Sequence, residues 1–229
     1  FLKEGPSRNL SKPIEQEAQT KNGSTFVMEL HINTIVLSRE TKIIGVIKDI
    51  TERKEWESEL KKLAMTDPLT HLANRNQYNQ KLNEAAAVSL RYQQPFALLL
   101  LDLDKFKPVN DRYGHQVGDL LLKHVADTLL TCCRETDTVA RLGGDEFAII
   151  LPSSHNPLNT STLAQRIISQ VSKAVIIEGH SIKMGISIGI CIFPDLTDDI
   201  EILQNQADTA LYQAKENGRN TYRTFKKTS

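Results

Sequence analysis

The stretch RLGGDEFAIIL, residues 141–151, constrains this chain most, because two glycines and two acids interrupt an apolar run. Gly143 and Gly144 can supply the positive φ angles of a tight turn, and the residues on either side have the apolar pattern of paired strands. The pattern therefore predicts a β-hairpin with buried arms and with Asp145 and Glu146 at its tip. Two carboxylates at such a tip either belong to a binding site or simply face water.

A second pair of acids follows another apolar run, in the sequence LLLLDLDKF. Asp102 and Asp104 are two residues apart, and side chains at positions i and i+2 share one face of a strand. If this strand lies beside the hairpin, the acids of both converge at one edge of the sheet. Converging carboxylates repel each other unless a cation relieves them, and oxygen ligands with room for water suit Mg²⁺. The alternative is that each acid simply ends a strand and faces water.

From about residue 75 onwards, predicted helices and strands alternate, with the hairpin placed among them. Within this order, residues 175–193 predict a strand, a turn and a second strand. This order favours an α/β (α+β) fold with a central, mostly antiparallel sheet and helices packed on it. Asn74 is the predicted N-cap of the first of these helices, and Gly218 is predicted to follow the end of the last. With 229 residues, the chain can form one such core and a smaller second unit.

The front of the chain has a different pattern. Residues 1–23 are polar and predict loop and short irregular pieces. Residues 24–37 and 42–50 are rich in β-formers and predict an antiparallel hairpin, with a turn in the segment SRETK at 38–42. This is little sheet for an independently stable unit.

Residues 51–64 contain many helix formers and neither glycine nor proline. Trp56, Leu60 and Leu63 recur at spacings of four and three, which is the a/d-like stripe of a coiled coil. The stretch covers only about two heptads, fewer than a firm coiled-coil assignment needs. A solvated connector helix and a helix that pairs two copies of the chain are both compatible with it.

Charge and cysteine content exclude some classes of protein. Lys plus Arg and Asp plus Glu both number 28, so no global basic field exists, and nucleic acid is not an expected partner. The three cysteines form no disulfide framework, which fits a reducing, cytoplasmic compartment. No run approaches the roughly 18 apolar residues of a spanning helix, and no signal-peptide pattern is present. Because the sequence begins at Phe1, we expect a fragment whose full-length protein can carry membrane segments upstream.

The segment DKFKPVNDRYGHQVGD follows the second acidic pair directly. Lys105 and Lys107 could meet phosphate groups. Asn110 and Asp119 carry an amide and a carboxylate, which suit the donors and acceptors of a guanine edge. In isolation, however, an asparagine in a helix and an aspartate at a cap are ordinary surface features.

Four segments in this order resemble the GGDEF family of bacterial diguanylate cyclases: DPLTHLANR (67–75), the run 102–119, RETDTVARLGGDEF (134–147) and ALYQAKENGRN (210–220). The family usually shows DPLTGLPNR in the first of them. The resemblance covers about residues 66–225. It implies a fold similar to nucleotidyl cyclases and the polymerase palm, and the joining of two GTP molecules into cyclic di-GMP with release of pyrophosphate.

The resemblance also implies site residues. Asp102, the Leu103 carbonyl and Asp145 match ligands of Mg²⁺ or Mn²⁺, and Glu146 matches a further ligand or the group that helps to deprotonate the attacking 3′-hydroxyl. Lys107 would offer its charge to the transition state. The remaining matches contact the nucleotide: Asn110 and Asp119 at the guanine with His115 in support, Gly143 and Gly144 beside the nucleotide, and Lys105, Phe106 and Lys107 along the triphosphate. Lys215 and Arg219, expected one helical turn apart, would hold the terminal phosphates.

Two regulatory features follow from the same resemblance. One chain holds one GTP and the product needs two, so a catalytic homodimer is implied, which favours the pairing interpretation of residues 51–64. Arg134 and Asp137 match an Arg-x-x-Asp site at which cyclic di-GMP inhibits many such cyclases. Arg-x-x-Asp is otherwise a common surface pair.

The front hairpin followed by DITERK resembles the end of a PAS sensor domain whose ligand is unknown. The expected domains are therefore a partial PAS-like segment (1–50), a linker helix (51–65) and a cyclase domain (66–226). Pairing of bare sheet edges is the competing interpretation of the front segment. Two other functions are open: a GGDEF domain without turnover that binds GTP or cyclic di-GMP, and a different nucleotidyl cyclase. The intact motifs argue against the first, and the guanine pair Asn110 and Asp119 argues against the second.

Overall fold

The chain divides into two units, Phe1–Lys62 and Leu63–Ser229. The computed structural model describes residues 12–37, 40–152, 157–194 and 197–226. No helix within those ranges is long and apolar enough to cross a membrane. The finer domain assignments made from the sequence stay predictions.

The first unit is a three-stranded antiparallel sheet of β1 (Ile14–Gln19), β2 (Thr25–Leu37) and β3 (Glu40–Asp49), in that order. The predicted hairpin corresponds to β2 and β3, and part of its predicted turn at 38–42 lies outside the described residues. The prediction of loop for residues 14–19 is wrong. The sequence IEQEAQ has only two apolar residues and is mostly exposed, so its strand is decided by pairing with β2 and not by an apolar pattern.

Helix α1 spans Thr51–Met65, close to the predicted helix. It begins where Asp49 Oδ1 accepts hydrogen bonds from the backbone N–H and the hydroxyl of Thr51, at 2.9 and 2.7 Å. The stripe of Trp56, Leu60 and Leu63 lies on its surface with exposed fractions of 62%, 63% and 67%. In the single chain, the stripe is therefore open to solvent.

The second unit contains five more helices and seven more strands among the described residues. They are α2 (Arg75–Tyr92), β4 (Phe96–Asp104), α3 (Phe106–Tyr113), α4 (His115–Cys132), β5 (Thr138–Gly143), β6 (Glu146–Leu151), α5 (Pro157–Val171), β7 (Val175–Ile177), β8 (His180–Ile182), β9 (Gly185–Phe193), α6 (Ile200–Glu216) and β10 (Tyr222–Thr224).

Five of these strands form the central sheet, in the order β10-β9-β4-β6-β5. All neighbours are antiparallel except β10 and β9, so the predicted fold class is confirmed. The prediction of one strand-turn-strand unit over 175–193 is wrong, because β7 and β8 form a separate two-stranded sheet and only β9 joins the main sheet. The nine residues of β9 pair along the full length of β4, from Phe193 opposite Phe96 to Gly185 opposite Asp104.

Helices cover both faces of the central sheet, and β4 lies in the middle. Alternate side chains of a strand point to opposite faces. Leu99 and Leu101 pack with residues of α4 and α5, whereas Leu98 packs with residues of α2 and α6. This arrangement explains the nearly continuous apolar run of β4, and it leaves the acids at the carboxyl end of the strand as the first polar groups beyond the core.

The predicted helix ends are present. Asn74 caps α2, because its side-chain oxygen accepts from the backbone N–H groups of Asn76 and Gln77. Gly218 follows the end of α6 with a φ of +100°. The chain therefore leaves α6 through a left-handed turn, which lies beside the acids of β4.

Candidate active site

The acids of β4 and of the hairpin lie at one edge of the central sheet. Asp102 is the register partner of Glu146 in β6 and of Ser187 in β9. Directly opposed residues of an antiparallel pair have their side chains on the same face. The Leu103 N–H also donates to the Asp145 carbonyl at 3.2 Å. The structure thus brings together the two acidic segments that the sequence predicts to converge.

The hairpin turn depends on its glycines for backbone conformation. Gly143 has a φ of +146° and Gly144 a φ of +53°, in the region that favours glycine. The strand register shifts between Arg141 and Gly143. Apart from the neighbouring residues in the chain, no atom of the described residues would lie within 4 Å of a Cβ atom at either glycine, so the space beside the turn is open.

The guanidinium group of Arg141 binds both this turn and the segment before α2. Its Nε and Nη2 atoms donate to the Gly144 carbonyl at 3.0 and 2.8 Å. Its Nη1 atom lies 3.0 and 3.2 Å from the two carboxylate oxygens of Asp67. Asp67 also accepts from the N–H and the hydroxyl of Thr70. The segment before α2 is thereby tied to the acidic turn.

Asp102 sits in a strongly polarised environment. Burial raises the pKa of its carboxyl group, the Lys215 ammonium opposes this rise, and the nearby charges of Asp145 and Asp104 add to it. The distance from Lys215 Nζ to Asp102 Oδ2 is 2.8 Å. The net direction is upward, and burial is its largest cause.

The donors at this edge fit a divalent metal bound together with phosphate. Among the described residues, no group of three or more His, Cys, Asp or Glu side chains could hold a metal alone. What remains is the carboxylates of Asp102 and Asp145, the Leu103 carbonyl and the exposed Glu146. All are oxygen donors, and a cation, the Lys215 ammonium, already contacts one of them. Mg²⁺ ordinarily uses one or two carboxylates plus substrate phosphates and water.

Asp104 shares a strand face with Asp102 but has a different environment. The residue as a whole is 9% exposed. Oδ1 accepts from the Ser187 hydroxyl at 2.7 Å, and Oδ2 accepts from the Asn220 N–H at 2.8 Å. Both oxygens are therefore engaged with protein donors, whereas the sequence pattern alone treats the two acids alike.

The three residues predicted along the phosphates separate into two kinds. Lys105 and Lys107 are exposed at the start of α3, and Lys105 has a φ of +61°. The Phe106 side chain is 8% exposed and belongs to the core, so this residue can reach a phosphate only through its backbone. No side chain caps the first turn of α3, so its N–H groups remain suited to an anion.

The predicted guanine readers lie on the neighbouring helices α3 and α4. The Asn110 Oδ1 atom is buried and has no hydrogen-bond partner within the described ranges, which is unusual for a native protein. A Cβ atom at Gly118 would overlap this oxygen, so glycine makes room for it. Asp119 and His115 are exposed on α4. Asn110 thus carries an acceptor that the protein itself leaves unsatisfied.

Lys215 and Arg219 are both near the end of α6 but not on one helical face. Lys215 is in the last turn, whereas α6 ends at Glu216 and Arg219 follows with a φ of +63°. The Arg219 N–H donates to the Ala214 carbonyl at 3.2 Å, which closes the turn after the helix. The prediction that the two cations are spaced by one helical turn is therefore wrong, since the chain reverses between them.

Arg134 and Asp137 form a turn away from the acidic edge. The Arg134 N–H donates to Asp137 Oδ2 at 2.8 Å, and the Asp137 N–H donates to the Arg134 carbonyl at 3.0 Å. Both residues line a cavity of about 210 Å³. Arg166 of α5 lines the same cavity and donates to the Cys132 carbonyl. The pair is therefore accompanied by a second arginine that the sequence did not single out.

Residues 64–221 match the protein family described as "Diguanylate cyclase, GGDEF domain". This chain belongs to the GGDEF family. The match begins near the end of α1 and reaches the start of β10, so this GGDEF domain includes every predicted site residue.

Similar proteins agree with this family. The chain is 41% identical over 167 residues to the bifunctional diguanylate cyclase/cyclic di-GMP phosphodiesterase MucR of Pseudomonas aeruginosa, covering 73% of this chain and 24% of MucR. It is 36% identical to the diguanylate cyclase DgcM of Escherichia coli, covering 91% of this chain and 50% of DgcM. The chain thus spans half or less of these relatives.

Among solved structures, the coiled coil and GGDEF domain of DgcB from Caulobacter crescentus, in complex with c-di-GMP, has a TM-score of 0.71. Its sequence identity to this chain is 29%, and the match covers 76% of this chain and 93% of that one. The likeness in fold therefore extends over nearly all of the DgcB chain.

Three residues of this GGDEF domain become notable only in the structure. Asp67 and Arg141 clamp the acidic turn, and Arg166 lines the cavity of the Arg-x-x-Asp pair. Asp67 and Arg141 lie within the recognised motifs, so motif position was an available signal for them. Arg166 lies in an ordinary amphipathic helix, and its sequence gave no signal.

Proposed function

We propose that this GGDEF domain condenses two GTP molecules into cyclic di-GMP and pyrophosphate in a metal-dependent reaction. The observation that carries the proposal is the placement of the acidic turn beside Asp102 and Lys215 at one open sheet edge. Phosphoryl transfer needs neutralised charge, an activated hydroxyl and in-line geometry, and this edge offers groups suited to the first two.

Asp102, Asp145, the Leu103 carbonyl and Glu146 are the residues that would hold Mg²⁺ or Mn²⁺. A divalent ion in such a site neutralises charge on the triphosphate and lowers the pKa of a bound hydroxyl. Glu146, whose side chain is 57% exposed, is accessible to accept the proton of the attacking 3′-hydroxyl.

The triphosphate is held by positive charge on two sides. Lys105, Lys107 and the uncapped N–H groups of α3 offer donors from one side. Lys215 and Arg219 offer cations from the end of α6. Lys107 is exposed and forms no ion pair with the part of the chain that the structure describes, so its charge is available to the developing charge of the transition state.

Guanine selectivity rests on Asn110 and Asp119, with His115 nearby. Guanine presents N–H donors beside a carbonyl acceptor, which complement an amide and a carboxylate, and the Asn110 Oδ1 atom has no hydrogen-bond partner among the described residues. An adenine edge would not offer the same N–H groups to this pair. The exposed carboxylate of Asp119 would accept a second hydrogen bond from the same edge.

Catalysis requires a homodimer, because each domain holds one GTP and each bound GTP attacks the other. The exposed stripe of Trp56, Leu60 and Leu63 is suited to pair two copies through α1. A solvated connector remains the alternative role of α1, and the sedimentation behaviour of the chain distinguishes the two.

Product inhibition is assigned to the cavity that contains Arg134, Asp137 and Arg166. Arginine and carboxylate groups can bind the guanine and phosphate groups of cyclic di-GMP through charge-assisted hydrogen bonds. The DgcB structure was solved in complex with c-di-GMP, which supports product binding by a domain of this family.

The first unit acts, in this proposal, as a PAS-like segment that passes a signal through α1 to the cyclase domain of residues 66–226, in the cytoplasm. Its three-stranded sheet and the following helix agree with the end of a PAS domain. Its ligand is unknown.

Incubation of the purified chain with GTP and Mg²⁺, followed by chromatography of the nucleotides, tests the proposal. We expect cyclic di-GMP and pyrophosphate, and an Asp145→Ala variant should lose more than about 100-fold in turnover, as expected when a charge-stabilising group is removed. The matched control is Asp127→Ala, at an exposed aspartate on α4. A chain freed of bound product that binds GTP but forms no cyclic di-GMP would instead be a nucleotide receptor.

A further inference from the structure

Asp104 is the second acid of the Asp-x-Asp sequence at the end of β4, and its spacing suggests a metal ligand. Its contacts point elsewhere. Oδ1 accepts from the buried Ser187 hydroxyl of β9 at 2.7 Å, and Oδ2 accepts from the backbone N–H of Asn220 at 2.8 Å. A carboxylate with both oxygens committed in this way connects two distant segments of the chain.

The segment that Asp104 holds is conformationally unusual. Arg219 and Asn220 have φ angles of +63° and +46°, the left-handed region that non-glycine residues seldom adopt. This conformation is unfavourable for a residue that carries a Cβ atom, so it persists only where the surroundings enforce it. The Asn220 N–H bond to Asp104 is part of that enforcement, together with the Arg219 N–H bond to the Ala214 carbonyl.

The strand beside Asp104 leaves room for this contact. Gly185 is the register partner of Asp104, and a Cβ atom there would lie 2.7 Å from Asp104 Oδ2 and 3.3 Å from Asn220 Cβ. Any larger residue would therefore push the carboxylate and the loop apart. Glycine at the first position of β9 thus fits the close approach of Asp104 and Asn220.

We propose that Asp104 is a positioning residue, which holds the left-handed turn at Arg219 and Asn220 so that the Arg219 guanidinium meets the terminal phosphates of the bound nucleotide. The inference rests on the proposed function for the role of Arg219. The two acids of the Asp-x-Asp sequence then have different roles. Asp102 would contact the metal, and Asp104 would position the turn that carries Arg219.

Binding of two nucleotides tests this division, with α,β-methylene-GTP as the triphosphate and GMP as a ligand that lacks the terminal phosphates. Asp104→Ala should weaken the triphosphate about tenfold, as loss of one charge-assisted contact does. It should change GMP affinity less than about twofold, because the guanine groups are untouched. Arg219→Ala should show the same selective loss, and the double variant should add little to either single change.

Two further variants serve as matched controls. Ser187→Ala removes the other hydrogen bond of Asp104 but keeps the Asn220 contact, so the ratio of the two affinities should remain within about twofold of wild type. Gly185→Ala removes no charge but displaces the turn, and should reproduce the loss seen in Asp104→Ala. Circular dichroism at the assay temperature confirms that each compared variant is folded.

Asparagine substitutions distinguish the role of Asp104 from that of Asp102. Asp104→Asn keeps an acceptor for the Asn220 N–H, so triphosphate affinity should stay within about twofold of wild type. Mn²⁺ binding in the presence of α,β-methylene-GTP, followed by electron paramagnetic resonance, should also persist in this variant. Asp102→Asn should lose Mn²⁺.

The outcomes are decisive in both directions. Three outcomes would each overturn the inference. The losses could be additive in the double variant, Asp104→Ala could weaken GMP and the triphosphate equally, or Asp104→Asn could lose Mn²⁺. Failure of the wild type to make cyclic di-GMP while it still binds the triphosphate would contradict the proposed function alone. Failure to bind the triphosphate at all would overturn both.

Discussion

The ion pair between Arg141 and Asp67 gives the sharpest prediction about stability. The side chains are 12% and 16% exposed, and their closest N···O distance is 3.0 Å. The same guanidinium also makes two hydrogen bonds to the Gly144 carbonyl. Replacing Arg141 with methionine, which keeps an unbranched apolar stem, removes all of these contacts and leaves the Asp67 carboxylate without its cation.

The expected loss lies between two limits. Breaking a fully buried pair costs about 3–5 kcal/mol, and an exposed pair contributes about 0–1 kcal/mol. With both side chains mostly but not fully buried, we expect about 2.5 kcal/mol in the free energy of unfolding. With an m-value of about 2 kcal/mol per molar urea, the midpoint should fall by about 1 M. Turnover should fall at least about tenfold, because the turn that carries Asp145 loses its support.

Urea unfolding followed by circular dichroism measures the change. The matched control is Lys81→Met, which breaks the exposed ion pair with Glu84, whose side chains are 45% and 48% exposed. That variant should shift the midpoint by less than about 0.3 M. If Arg141→Met shifts the midpoint no more than Lys81→Met does, the clamp does not stabilise the turn and the reasoning is refuted.

The same pair predicts a pH dependence. Burial acts to raise the pKa of Asp67, but hydrogen bonds from Thr70 and Arg141 outweigh it and hold the pKa below the ordinary value of 3.8. A carboxyl group with a lowered folded-state pKa stabilises the fold fully above its unfolded value and loses this contribution as the pH falls through the folded value. The stability difference between wild type and Arg141→Met should therefore be constant from pH 7 to about pH 5 and narrow below pH 3.8.

Three further predictions concern ligands and assembly. Gly118→Ala should weaken GTP binding about tenfold or more by displacing the Asn110 oxygen, without unfolding α4, because alanine favours a helix by about 1 kcal/mol over glycine; calorimetric titration with GTP checks it. Arg134→Ala should raise the concentration of cyclic di-GMP needed for half-inhibition about tenfold while the initial rate is unchanged, and an unchanged inhibition curve would remove Arg134 from that role. Leu60→Lys should lower the dimer fraction in sedimentation velocity, and an unaltered distribution would favour the solvated connector.

The local predictions from the sequence were reliable where a residue acts through its own backbone or its near neighbours. The Asn74 cap, the Gly218 turn and the positive φ angles of Gly143 and Gly144 are all present. Strand β1 escaped prediction because its side chains are mostly exposed and leave no alternating pattern. The split of 175–193 into three strands was missed because pairing partners, not periodicity, decide where such strands end.

The predicted site residues themselves stay predictions, but the structure changes how some of them can act. Phe106 lies between two exposed lysines in the sequence, yet its ring fills the core beneath α3. Arg219 follows Lys215 at helical spacing, yet the chain has already left the helix. In the first case the surrounding packing decided where the side chain lies, and in the second the helix ends before Arg219.

The sequence by itself determined the family, the acidic hairpin and the alternation that places β4 between two helical layers, because these depend on residue types at short spacing. Only the tertiary structure distinguished the contacts of the two acids at the end of β4. Asp102 and Asp104 are equivalent in a strand pattern, but Asp104 meets Ser187 and Asn220, which are 83 and 116 residues away in the chain. Hydrogen bonds over such separations depend on how the sheet closes around β4, and no local pattern in the sequence encodes them.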